Sequence, residues 1–111
     1  MSVAPTVVVE VQGQAATVTW AGLTNGATGA AQPYLAWTQA SFQVSGTFGS
    51  GGSIKLQGSN DGSNWFDLSP TPLTSAGFFG GLGANEKPLY VRPNVTAGDA
   101  TTSLTVVAWF N

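Results

Sequence analysis

Apolar and polar residues alternate along most of this chain with a period of two, the period at which side chains leave opposite faces of an extended strand. Leu104, Val106, Ala108 and Phe110 form one file, and Ser103, Thr105, Val107 and Trp109 the other. From Ser41 to Phe48, Phe42, Val44 and Phe48 point one way while Ser41, Gln43, Ser45 and Thr47 point the other. Ile54 and Leu56 alternate with Lys55 and Gln57. Near the start, Val7, Val9 and Val11 alternate with Val8, Glu10 and Gln12, and Ala16, Val18 and Trp20 with Thr17 and Thr19. Leu89, Val91 and Val95 share a face opposite Tyr90, Arg92 and Asn94. Pro93 has no N–H to give a ladder, which places this strand at a sheet edge or on a bulge.

Turn chemistry separates these runs. Gly49-Ser50-Gly51-Gly52 reads as a hairpin loop, because glycine supplies the positive φ that tight turns need. Ser59 to Asn64 makes the next turn, centred on Asp61-Gly62, and Ala97-Gly98-Asp99 joins the last two strands. Ala21 to Pro33 is small and glycine-rich and reads as a long loop between the N-terminal strands and the main sandwich. Phe78 and Phe79 are adjacent, so one strand cannot send both into the core. No window sustains a helical period. The expected fold is all-β: a single antiparallel β-sandwich, jelly-roll or immunoglobulin-like, over residues 1–111, with residues 1–12 an N-terminal arm or strand.

Composition changes the picture of the surface. Hydrophobic residues are 42% of the chain and charged residues 7%, against roughly 25% charged in ordinary soluble domains. The apolar content is enough to fold, so solvent-facing positions must be filled by Ser, Thr, Asn, Gln and Gly. Such a surface suits a domain packed against partners. The cations are Lys55, Lys87 and Arg92, and the formal net charge is -2. Three scattered cations make no basic stripe for nucleic acid and no anchor for an anionic membrane. No run approaches the roughly 20 apolar residues of a membrane span. Met1 to Thr6 and the short run Val7 to Val9 lack the basic region of an export signal, so synthesis in the cytoplasm is expected. The chain has no Cys, which removes disulfides and thiolate metal sites.

Catalytic chemistry finds little to stand on. The chain has no His, and its five carboxylates are Glu10, Asp61, Asp67, Glu86 and Asp99. Asp61 and Asp67 are close enough in sequence to be weighed as a glycosidase pair. Asp61 fits better as a turn residue bonding its own backbone, and Asp67 as the polar side of a short strand. The Ser59–Asn64 run carries one carboxylate, too few for a calcium loop. Ser53 and Lys55 share a strand face with nothing to orient them as a nucleophile and base. No catalytic residue, metal ligand or cofactor site is expected.

The aromatic residues remain. Trp and Tyr either stack on sugar rings from an exposed face, anchor protein interfaces, or fill the core, where Trp is highly buried on average. Trp20, Tyr34, Trp37, Phe78, Phe79 and Trp109 are the interface candidates. Trp109 stands out because it lies opposite the apolar file of the last strand.

The run Phe42-Gln43-Val44-Ser45-Gly46-Thr47-Phe48, then Ile54 to Trp65 with its Ser59-Asn60-Asp61-Gly62-Ser63-Asn64-Trp65 turn, then Tyr90 to Val95 with Gly98-Asp99, resembles head decoration (cement) proteins of tailed bacteriophages. Trp20 to Gly26 fits the same pattern. The resemblance implies a structural virion protein on the capsid exterior, bound to the major capsid protein and self-associated as a trimer or dimer. It implies no site residues. A carbohydrate-binding or adhesin-like module, or a small tail or neck component, shares the sandwich. Ser2 to Val11 is expected to pair with a neighbouring chain or a capsid strand by strand addition.

Overall fold

The computed structural model describes residues 16–33, 40–68, 72–79 and 88–110, and the backbone alone of 2–3 and 6–9. Two sheets pack face to face, and no described residue is helical. The first sheet contains β1 (Ser2–Val3), β4 (Thr28–Gly29), β5 (Gln32–Pro33), β7 (Ser53–Ser59), β8 (Phe66–Asp67) and β10 (Tyr90–Ala97). Its order is β1-β4-β10-β7-β8, with β5 also on β10. The second contains β2 (Thr6–Val9), β3 (Ala16–Leu23), β6 (Ala40–Thr47), β9 (Gly77–Phe78) and β11 (Ser103–Phe110), in the order β2-β3-β11-β6-β9. Every pair is antiparallel except β1 with β4.

The core is the inward file of each strand. Val18, Trp20, Phe42, Val44, Leu104, Val106, Ala108 and Phe110 come from the second sheet, and Ile54, Leu56, Val91 and Val95 from the first. These are the positions the alternation assigned inward. Phe42 meets Phe110 edge to face, with ring centroids 5.7 Å apart, an arrangement that aligns ring edge with ring face.

Three expectations change. Gly49 to Gly52 is not a hairpin loop, because β6 and β7 lie in different sheets. It is a corner, and so is the β10–β11 connection. Asp99 pins the two corners together: its Oδ2 accepts Ser50 N–H at 2.8 Å, and Thr102 Oγ1 donates to Phe48 O at 2.8 Å. Ala21 to Pro33 is not one long loop between N-terminal strands and sandwich. β3 is itself the neighbour of β11, and it runs on to Leu23 through a bulge opposite Leu104 and Val106. Gly22, at φ 70°, takes the positive φ there, and the extra residue returns Leu23 to the core. The rest of the stretch lays β4 and β5 on the edge of β10.

Pro93 lies on β10, a strand with neighbours on both sides, and the bulge falls later, between Val95 and Ala97. Val95 N–H donates to Ala27 O, so Pro93, two residues earlier, turns its nitrogen to the same side. That side is a gap, because β4 pairs at Asn94 and β5 at Tyr90 and Val91. The proline occupies a local edge inside a central strand. β1 and β2 lie at the outer ends of the two sheets, β1 against β4 and β2 against β3, so the described N-terminal pieces are strand, one on each sheet.

Candidate interaction surface

The strands of the second sheet, β2, β3, β6, β9 and β11, contain no charged residue. On its outer face the register sets Thr19, Val107, Gln43 and Phe78 side by side across four strands. One pleat along, Thr17, Trp109 and Ser41 form the next row. Trp109 is 53% exposed and Phe78 61%. Val107 and Trp109 are same-face neighbours on β11, and Phe78 lies two strand spacings from Val107, about 10 Å. Among the described residues the rest of the face is mostly hydroxyl and amide, from Thr17, Thr19, Ser41, Gln43, Ser45, Thr47, Ser103 and Thr105, with Ala21 beside them. Outer faces of antiparallel sheets normally meet water with polar side chains. Here two large aromatics do so on strands with no charge to repel a partner.

The structure separates the six expected interface residues. Trp109 and Phe78 are exposed together on this face. Trp20 is fully buried, with Nε1 donating to Ala30 O at 3.0 Å across to the first sheet. It has no surface to offer, because the alternation that places Ala16 and Val18 inward carries it inward too. Phe79 is buried while Phe78 is exposed, the division that two adjacent strand residues require. Tyr34 and Trp37 lie outside the described residues.

The outer face of the first sheet is of a different kind. Arg92, Gln57 and Asp67 lie in one row across β10, β7 and β8. Arg92 Nε donates to Gln57 Oε1 at 3.0 Å, and its guanidinium sits 4.2 Å from the centre of the Trp65 ring. Lys55 Nζ meets Asp67 Oδ2 at 3.0 Å. That hydrogen bond holds the Asp67 carboxyl below the ordinary carboxylate range, burial opposing it and Gln57 assisting. Burial lowers Arg92 from its usual value.

Asp61 is held as a carboxylate by its own turn. Its Oδ1 accepts Asn64 N–H and Ser63 N–H, each at 2.8 Å, and Asn64 Nδ2 donates to Oδ2. Those bonds, the Asn64 backbone first, hold its pKa well below the ordinary value. A glycosidase acid needs a carboxyl whose pKa is raised. Both members of the Asp61–Asp67 pair are shifted the other way, one by a turn and one by a lysine. Among the described residues no group of three or more His, Cys, Asp or Glu gathers around a metal-sized site.

Sequence reasoning missed two features. The stacking of Arg92 on Trp65 joins residues from β10 and from the loop before β8, and only the register reveals it. Phe66, 72% exposed, was hidden by its own alternation: it points to the core side of the sheet but beyond the end of the core.

No protein-family model and no curated protein matches the chain. Among solved structures it is similar to Peruvianin-I, a cysteine peptidase from Thevetia peruviana latex, with a TM-score of 0.49 and 17% identity. The match covers 96% of this chain and 61% of that one. A likeness at that level carries no argument about function, and this chain contains no cysteine.

Proposed function

We propose that this chain is a structural protein of a bacteriophage virion, a decoration protein that binds the exterior of the assembled capsid and stabilises it without catalysis. The observation that carries the reading is the uncharged outer face of the second sheet, with Trp109 and Phe78 exposed on it. Trp is among the residues that concentrate binding energy when a partner covers them, and charged residues are depleted from interface centres. The resemblance of the Phe42–Phe48 and Ile54–Trp65 runs to phage head decoration proteins supplies the class of partner, a major capsid protein and sister copies. A protein that binds the closed shell and not its loose subunits stabilises the shell by mass action. Closed symmetric assembly, with a trimer favoured, suits a shell lattice.

Light scattering on the eluting peak of a size-exclusion column tests the self-association this reading requires. A trimer or dimer is expected for the native chain, and a monomer for Trp109→Ser. A native chain that elutes as a monomer contradicts it.

A further inference from the structure

At the end of the sandwich away from the Asp99 corner lies an open cleft of about 210 Å³, lined by Gly58, Ser59, Asn60, Asp61, Asn64, Phe66, Leu68 and Pro88. We propose that this cleft binds a neutral sugar, one or two rings of a glycan, and that Phe66 is the platform on which a ring stacks.

Its two walls differ in chemistry. Phe66, Leu68 and Pro88 make an apolar wall, and the Phe66 ring is open to solvent. Ser59, Asn60, Asp61 and Asn64 make a polar wall. A pyranose needs that division: an apolar face of C–H groups to lie on a ring, and a rim of hydroxyls that both donate and accept.

The polar wall is already rigid. Asn60 Oδ1 accepts Leu89 N–H at 2.8 Å, which fixes its carboxamide. Ser59 Oγ accepts the N–H groups of Asp61 and Gly62 and donates to Asp61 Oδ1 at 3.0 Å. Asp61 Oδ2 accepts Asn64 Nδ2 at 2.8 Å, and a carboxylate oxygen has a second acceptor position for a ligand hydroxyl. A ligand therefore meets groups held in place before it arrives, which lowers the ordering cost of binding.

The floor is equally set. A Cβ on Gly58 would lie 2.6 Å from Pro88 Cγ and 3.1 Å from Leu68 Cδ1, so glycine is what lets Pro88 and Leu68 close over the floor.

Charge and size select the class of ligand. Among the described residues of the lining Asp61 is the one charged side chain, with no lysine or arginine beside it. Phosphorylated, sulfated and sialylated ligands are repelled, and one carboxylate is too few for a divalent cation. Pockets for drug-sized ligands measure about 300–1,000 Å³, so this smaller cleft suits a smaller ligand. The cleft lies on the first sheet and owes nothing to the Trp109 face, so the two proposals stand or fall separately.

The test is a titration of the isotope-labelled full chain with cellobiose, lactose, mannobiose and chitobiose, followed by backbone amide shifts. The comparison probes are sialyllactose and a neutral Gly-Ser peptide. At least one neutral disaccharide is expected to saturate with a Kd on the order of 1 mM, as a few ligand atoms in an open cleft allow. The shifts should cluster at Gly58, Asn60, Asp61 and Asn64. Phe66→Ala should weaken binding about tenfold or more while keeping the native spectrum, since Phe66 supports no core, and Trp109→Ser should leave binding unchanged. Failure of all four disaccharides to saturate overturns the proposal. So do indifference to Phe66→Ala, equal binding of sialyllactose, and saturation by the peptide in place of the sugars.

Discussion

The Trp20 indole reaches from β3 to Ala30 in the facing sheet, and Gly29 gives it room to do so. A Cβ at position 29 would lie 2.5 Å from Pro93 Cδ and 2.6 Å from Trp20 Cδ1. Overpacking of this kind costs about 1–3 kcal/mol, so Gly29→Ala should lower the unfolding free energy by that much, seen as a lower urea midpoint at an unchanged slope. Trp20→Phe loses both the bond to Ala30 and part of the buried ring, so a loss larger than the bond's own value of about 1 kcal/mol is expected. Asp99 acts at the opposite face of the same problem, joining two corners that leave the two sheets. Its hydrogen bonds, that from Thr101 Oγ1 first, lower its pKa to about 2. A carboxylate depressed below its unfolded value of about 3.9 stabilises the fold above that value and loses the contribution as pH falls toward the folded one. Stability measured by urea unfolding should therefore be level from neutral pH to about 5 and fall between about pH 4 and 2. Asp99→Asn should reduce the slope in that window. The alternation made the buried residues legible one by one. What it left hidden at this scale were the partners: nothing in the neighbourhood of Trp20 names Ala30, and nothing near Asp99 names Ser50.

Strands were more legible than their connections. β6, β7, β10 and β11 lie where alternation puts them, since half-burial imposes a period of two whatever sheet a strand joins. A glycine-rich loop turns a chain equally well within a sheet or between sheets, and Gly49 to Gly52 looks the same in both cases. Only pairing decides it, and pairing depends on β11 more than fifty residues away. Ala21 to Leu23 failed for another reason: a bulge breaks the alternation that identifies a strand. Of the candidate face, Trp109 was legible because its strand is regular. Phe78 and Phe79 were legible as a pair that must divide, and β9 pairing with Gln43 and Val44 settles which one faces out. Both aromatics are more than half exposed. Replacing Trp109 or Phe78 by Ser should therefore change folding stability by about 1 kcal/mol or less, a far smaller effect than the 3–5 kcal/mol expected for Trp20→Ala in the core. Urea unfolding of the three variants checks the contrast.

Among the described residues, charge is confined to one side of the molecule. The Lys55–Asp67 pair and Arg92 lie on the first sheet, and Asp61 and Asp99 lie in turns at its two ends. The second sheet's strands have none. The Debye length falls to about 3 Å at 1 M salt, so an association built on Coulomb attraction weakens there. Association through the second sheet should persist at 1 M salt, as sedimentation in low and high salt will show. The central claim is that this uncharged face is covered in the working assembly. A cryo-electron map of the particle that carries the protein tests it most directly. The map is expected to place the chain on the shell exterior, with Trp109 and Phe78 buried against capsid or sister subunits and their Ser variants absent from the shell. A map that leaves the second sheet facing solvent, or that places the chain away from the capsid, contradicts the account.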